Sequence, residues 1–267
     1  MTTKIGFLID LDGTMYHGGH PIEGAPELIA YMHKQQIPYR FVTNNSSLSA
    51  ALVAEKLNEM NIIAEPSHVC TSADATAAYI AKRQPEAKVF VVGEQGLHTS
   101  IALAGLHISN YESMDEVDFV VQGIDRQFTY EKLAKAVQLI RNGAVSIMTN
   151  PDRLLPSDHG FIPGAGSLGA MIETASGVKP LIIGKPSSIL MDFAIATMDV
   201  DNREQLYVVG DNLATDIAAG YAAGCKTILV YTGLTTPENY EHYAQDAGYR
   251  PHEIYNNLLE LKQWLEV

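Results

Sequence analysis

Two aspartates, Asp10 and Asp12, stand two residues apart at the end of an apolar run and are followed at once by Gly13 and Thr14. Ile5, Phe7, Leu8 and Ile9 give that run the character of a strand, so both acids arrive where the strand ends. Functional groups collect at that edge in open α/β sheets. Two carboxylates held so close repel each other unless a cation or a proton intervenes. The spacing therefore predicts a bound metal, a shared proton, or both. Gly13 allows the backbone to leave the strand sharply.

The elements that would position this pair alternate along the chain. Residues 25–36 place Leu28, Ile29 and Met32 on one helical face. Residues 38–42 read as a buried strand ending at Thr43-Asn44-Asn45, and 49–61 as a helix with Leu52, Val53, Leu57 and Met60 apolar. Val69–Thr71 is a short strand, and Ser72 is placed to cap a helix over 73–83. Strands follow at Lys88–Val92, 119–121 and Val145–Met148, with helices to Ala104 and over 130–142. A long polar loop spans 149–166, before a helix over 167–176. The last strands, 181–183, 206–209 and 227–230, end near Gly184-Lys185-Pro186, Gly210-Asp211-Asn212 and Thr232-Gly233. Such alternation predicts parallel sheets covered by helices. Four strands end in polar sets: Asp10/Asp12, Thr43/Asn44, Lys185 and Asp211. If these strands share one parallel sheet, the four sets converge on one crevice.

Composition narrows the class. With 267 residues and 46% hydrophobic content, the chain can bury a sizeable core in one or two domains. A formal net charge of −13 argues against nonspecific nucleic-acid binding, which needs clustered Lys and Arg. It does not oppose a small anionic substrate, because a metal and one well-placed lysine reverse the local field. No apolar run approaches a membrane span, so no membrane partner is expected. Met1-Thr2-Thr3-Lys4 runs straight into a strand-like segment and does not read as a signal peptide. Cys70 and Cys225 fit neither a zinc site nor a disulfide framework, and read as buried thiols of a cytoplasmic protein.

The polar sets, in this order, resemble the motifs of the haloacid dehalogenase (HAD) superfamily of phosphatases. Asp10-Leu11-Asp12-Gly13-Thr14 is similar to the first motif, Thr43-Asn44 to the second and Lys185 to the third. Gly210-Asp211-Asn212-Leu213-Ala214-Thr215-Asp216 is similar to the fourth. About half the chain separates Asn44 from Lys185, which resembles the branch of NagD-type and p-nitrophenyl phosphatases, with a large insertion between second and third motifs. The resemblance implies an α/β fold: a Rossmann-like, doubly wound parallel-sheet core over residues 1–82 and 180–267, with an inserted α/β cap over 83–179. It also implies pairing of two copies through the cap.

What the resemblance implies for chemistry follows from the reaction. Phosphate monoesters hydrolyse so slowly unaided that catalysis supplies up to about 30 kcal/mol. Asp10 is the implied nucleophile, forming an aspartyl-phosphate, and Asp12 the acid that protonates the leaving oxygen and then the base for water. Mg²⁺ is the implied cofactor, held by the side chains of Asp10 and Asp211 and the carbonyl of Asp12. Asp216 would orient a metal-bound water from behind. Thr43 and Asn44 would donate to phosphoryl oxygens, and Lys185 would neutralise phosphate and Asp10. The expected substrate is a small phosphorylated metabolite, such as a sugar phosphate or nucleotide, with p-nitrophenyl phosphate as an artificial one. A phosphotransferase or mutase uses the same intermediate and differs only in the acceptor. A non-catalytic phosphate-binding regulator has no need of the Asp10/Asp12 pair.

Other patterns carry a plainer reading. Gly164-Ala165-Gly166-Ser167-Leu168-Gly169 matches the dinucleotide pattern, but follows a Pro-interrupted loop and reads as a turn opening a helix. His17 and His20 lack the Cys or Glu that would complete a metal set. The segment Asn150-Pro151-Asp152-Arg153, with Phe161, is either a surface loop or a selector of the leaving group.

Overall fold

Short apolar runs form two parallel sheets, and the strands Gly6–Ile9, Phe119–Gln122 and Leu206–Gly210 are buried along their whole length. The computed structural model describes residues 5–112, 116–157, 160–200 and 202–267. The N-terminal segment 1–4 and part of the 149–166 loop, about which expectations were stated, lie outside the described residues.

The larger sheet has six strands in the order Glu253–Tyr255, Lys226–Val230, Leu206–Gly210, Gly6–Ile9, Tyr39–Thr43 and Val69–Thr71. Phe7 of the central strand lies opposite Tyr207 on one side and Tyr39 on the other, both in parallel register. Phe7, Leu8 and Ile9 are fully buried, as is Phe41 of the next strand. The chain fills one side of Gly6–Ile9 first and returns much later to fill the other. That reversal makes the carboxyl end of Gly6–Ile9 a topological switch point, where open α/β sheets leave a crevice. The helix Ala25–Lys34 buries Leu28, Ile29 and Met32, the three residues its periodicity marks.

The second sheet has five strands in the order Leu181–Ile182, Val145–Met148, Phe119–Gln122, Lys88–Val92 and His107–Ile108, all paired in parallel. Its core joins Phe90, Val92 and Val120 to Ala136, Leu139 and Ile140 of the helix Tyr130–Arg141 and to Ile172 of Ala165–Ser176.

The chain divides into two compact units. One comprises Met1–Thr43, Ala50–Cys70 and Lys185–Val267; the other comprises Asn44–Ser49 and Thr71–Gly184. These borders differ from 82/83 and 179/180. The helix Ser72–Arg83 goes with the second unit because Asp74 Oδ1 accepts a 2.6 Å hydrogen bond from Ser100 Oγ, and Ser72 Oγ donates to the carbonyl of Asn44 at 2.7 Å.

Three local expectations need correction. Thr71, not Ser72, caps that helix, its Oγ1 accepting from the Asp74 amide at 3.0 Å. The strand before Lys185 is Leu181–Ile182, and it pairs with Val145–Met148 in the five-stranded sheet, so the four polar sets do not end strands of one sheet. The 149–166 stretch is not simply a loop: Leu154–Ser157 and Gly160–Pro163 pair antiparallel, and the following helix begins at Ala165.

Candidate active site

Asp10 follows directly on the central strand, and its amide donates to the Val209 carbonyl at 2.9 Å, extending the ladder by one residue. Gly13 then takes φ +90°, and the chain folds back so that the Gly13 amide donates to the Tyr16 carbonyl at 2.9 Å. A Cβ at Gly13 would lie 2.7 Å from Asp211 Oδ2, so this position needs both glycine's left-handed backbone and its lack of a side chain.

Donors fix both oxygens of Asp10. Lys185 Nζ donates to Oδ1, and Thr14 Oγ1 lies 3.0 Å from Oδ2. The same Thr14 hydroxyl lies 3.2 Å from Asp211 Oδ1, so one proton is shared between two carboxylates. Asp211, just after the strand Leu206–Gly210, accepts the Leu234 amide on Oδ2 at 2.6 Å. Gly233 makes that approach possible, since a Cβ there would lie 2.1 Å from the same oxygen. Asp216 sits in a π-helical turn, Leu213–Ile217, opened by Asn212 Oδ1 accepting from the Ala214 amide. Such turns recur at functional sites. Here the turn lets Asp216 Oδ2 accept the Asn212 amide at 3.1 Å and Oδ1 accept Lys185 Nζ at 2.7 Å.

Asp10, Asp211 and Asp216 thus form a buried cluster whose ligand atoms all lie within 4.8 Å of one another. Lys185 stands against three carboxylates, leaving an excess of negative charge. Burial, and then the charge of Asp10, push the carboxyls of Asp211 and Asp216 above the ordinary range. Burial pushes the Lys185 ammonium down, but Asp10 and Asp216 outweigh it and hold the group charged. An oxygen-only donor set with surplus negative charge fits a hard divalent cation.

Asp12 stays out of the cluster. Its Oδ2 accepts from the Tyr16 hydroxyl at 3.2 Å. Crowding by protein, and then the charge of Asp10, raise its pKa, while Lys56, the Tyr16 hydrogen bond and Lys185 oppose the rise. Thr43 is buried at the end of Tyr39–Thr43, the strand beside Gly6–Ile9.

In the second unit, Asn44 Nδ2 donates to Asp152 at 3.1 Å (Oδ2) and 3.3 Å (Oδ1). Asn150 Nδ2 donates to the Asn44 carbonyl at 2.7 Å, and Asn150 Oδ1 accepts the Asp152 amide at 3.1 Å. Asn44, Asn150 and Asp152 are therefore one network, whereas the exposed Arg153 enters through its carbonyl, which accepts from the Gly164 amide. Phe161 is 73% exposed.

The Gly164-x-Gly-x-x-Gly run is a packing feature. A Cβ at Gly164 would lie 2.3 Å from the Asp152 carbonyl, at Gly166 2.1 Å from the Pro151 carbonyl, and at Gly169 2.2 Å from Met148 Cε. His17 and His20 are exposed partners in a small antiparallel pair, with His17 Nε2 2.8 Å from the Thr232 carbonyl. Among the described residues, the one carboxylate–histidine–cysteine grouping fit for a metal is Asp10, Asp211 and Asp216. Sequence reasoning missed the roles of Thr14, Tyr16, Lys56, Gly233 and Leu234. Thr14 lies inside the first motif, and a hydroxyl beside two acids is a usable signal; Lys56 carries none, being joined to the site only by folding.

A parallel sheet that delivers an aspartate pair at its switch point, with a lysine and two further aspartates closing on the first, defines a hydrolase of the haloacid dehalogenase type. The sequence bears this out: residues 7–107 match a haloacid dehalogenase-like hydrolase model and residues 182–261 a second HAD-hydrolase-like model. The chain is 44% identical over 257 residues to an acid sugar phosphatase of Staphylococcus aureus (strain MRSA252), covering 96% of this chain and 98% of that one. It is 45% identical to the 5'-nucleotidase YutF of Bacillus subtilis (strain 168), over 95% and 96% of the two chains. A p-nitrophenyl phosphatase from Archaeoglobus fulgidus superposes with a TM-score of 0.92 at 34% identity, over 98% of this chain and 99% of that one. The chain belongs to the haloacid dehalogenase-like hydrolases, and it is a phosphatase.

Proposed function

We propose that this phosphatase hydrolyses small sugar or nucleotide phosphate monoesters in two steps through a phosphoryl group carried on Asp10, with Mg²⁺ as the divalent cation. The observation that carries the reading is the Asp10 carboxylate, its orientation set by Lys185 on one oxygen and Thr14 on the other. A carboxylate held in one orientation is a positioned nucleophile. In the first step an Asp10 oxygen bonds to phosphorus, the bond to the leaving oxygen breaks, and that oxygen takes the proton of Asp12. In the second step Asp12 takes a proton from water, the water oxygen bonds to phosphorus, and the Asp10–phosphorus bond breaks. Thr43 and Asn44 supply hydrogen bonds to phosphoryl oxygens. Lys185 offsets charge on Asp10 and on the phosphate.

Asp10 and Asp211 would hold the cation with the Asp12 carbonyl, and Asp216 would orient one of its waters. When bound, the cation supplies neutralisation of the phosphoryl charge. The relatives' names support the substrate class: an acid sugar phosphatase, a 5'-nucleotidase and a p-nitrophenyl phosphatase all align along nearly the whole chain.

The test is phosphate release from a panel of sugar phosphates, nucleotides and p-nitrophenyl phosphate, with Mg²⁺ and with EDTA. The wild-type chain should turn over with Mg²⁺ and stop with EDTA, and Asp10→Asn should lose at least about 10³-fold in rate while retaining the fold. An Asp10→Asn protein that keeps most of its activity overturns the nucleophile assignment.

A further inference from the structure

We propose that Tyr16, backed by Lys56, is a positioning residue for Asp12: it binds one carboxylate oxygen, holds the side chain off the acidic cluster, and leaves the other oxygen to carry the transferable proton. The inference rests on the reading of Asp12 as the acid of the first step.

The geometry begins with the turn at Gly13. Its left-handed backbone brings Tyr16 back beside Asp12, where the two residues form an isolated β-bridge. The Tyr16 ring is 3% exposed, and its position is fixed further because Tyr16 pairs with Pro21 in the small antiparallel ribbon. The hydroxyl then lies 3.2 Å from Asp12 Oδ2. A phenol has one proton, and it is the donor here, because an ionised carboxylate oxygen only accepts. An oxygen that accepts this bond is disfavoured as the site of a second proton, so the acid proton of Asp12 belongs on Oδ1.

Lys56 completes the arrangement. It projects from the helix Ala50–Glu59 and sets its ammonium 3.9 Å from the Tyr16 ring centroid. A cation over the ring holds the ring in place and draws electron density from it, which strengthens the O–H as a donor. Asp12, Tyr16 and Lys56 thus form a chain from the helix surface to the reacting acid. Asp10, Asp211 and Asp216 form the separate buried cluster, which Asp12 does not join.

A misplaced acid has a particular kinetic signature. An alkoxide leaving group needs a proton as it departs, whereas p-nitrophenolate leaves without one. The experiment compares kcat/KM of wild type, Tyr16→Phe and Lys56→Met on a sugar phosphate that the wild type hydrolyses and on p-nitrophenyl phosphate. Tyr16→Phe should lower kcat/KM on the sugar phosphate about 10-fold and stay within about 2-fold on p-nitrophenyl phosphate. Lys56→Met, at a half-buried position, should show the same selectivity at about 3-fold. Equal losses on both substrates, or no loss on either, in both variants would overturn the proposal. Failure of the underlying reading looks different: there Asp12→Asn keeps the wild-type kcat/KM on the sugar phosphate.

Discussion

Thr14 is fully buried and offers a single hydroxyl proton to two carboxylates, Asp10 at 3.0 Å and Asp211 at 3.2 Å. Its value lies in joining Asp10, the proposed nucleophile, to Asp211, which would hold the metal, so that neither rotates alone. Thr14→Val keeps the shape and removes the proton, leaving two carboxylate oxygens facing a methyl group. Losing a hydrogen bond to a charged group costs about 1.5–3 kcal/mol. The expected result is a loss of about 10-fold in kcat/KM and a rise of several-fold in the Mg²⁺ concentration giving half-maximal activity. A Mg²⁺ titration of activity checks this, and a superimposable curve would refute the link. At this scale Asp10 and Asp12 stood out in the sequence because two carboxylates so close repel each other, whereas Lys185, Asp211 and Asp216 gained weight only from the ordered set and its resemblance. Tyr16 and Lys56 did not stand out, because 40 residues separate them and only the return of the helix Ala50–Glu59 brings ammonium and ring together.

Elements show a different limit. Apolar runs identified nearly every long strand and helix up to the helix Ala165–Ser176, since burial of a run or of one helical face leaves a direct mark in the sequence, but the helices Ser188–Ile195, Tyr240–Ala247 and Leu258–Leu265 and the edge strand Glu253–Tyr255 went unread. Which sheet a strand joins leaves no such mark. Leu181–Ile182 is two residues long and ends just before Ile183-Gly184-Lys185, yet it pairs with Val145–Met148 rather than with the sheet that carries Asp10. The pair Leu154–Ser157 and Gly160–Pro163 escaped notice because the prolines within it read as loop. The Gly164–Gly169 run shows how a nucleotide-like pattern arises from packing alone. Gly166 sits where a Cβ would meet the Pro151 carbonyl at 2.1 Å, and backbone there has little room to move. Gly166→Ala should therefore destabilise by about 2 kcal/mol, lowering Tm by roughly 4–8 °C. Melts with and without added NAD⁺ decide between the two readings. The packing role requires the drop in Tm and no stabilisation of the wild type by the dinucleotide.

The acidic surface of the whole molecule, with net charge −13, is matched inside by a buried cluster of the same sign. Burial and Asp10 raise the pKa values of Asp211 and Asp216 above the ordinary 3.8. A carboxyl with a raised folded-state pKa binds its proton more tightly in the folded protein than in the unfolded chain. The stability this contributes is fully present below the unfolded value and is lost as pH rises through the raised folded value. Lys185 does not reverse the trend, because its own pKa is raised and it stays charged across the range. The metal-free protein should therefore lose stability as pH rises from the ordinary carboxylate range into the neutral one. A divalent cation relieves the same repulsion, and it binds better once protons no longer compete for those oxygens. Thermal melts in EDTA and in Mg²⁺, at pH 5 and pH 8, should show a larger Mg²⁺-dependent rise in Tm at the higher pH. Asp211→Asn removes one of the repelling charges and one metal-facing oxygen, so it should raise the Tm in EDTA at pH 8 and shrink the Mg²⁺ increment there. Equal increments at both pH values in the wild type would show that this cluster does not carry the effect of the metal on stability.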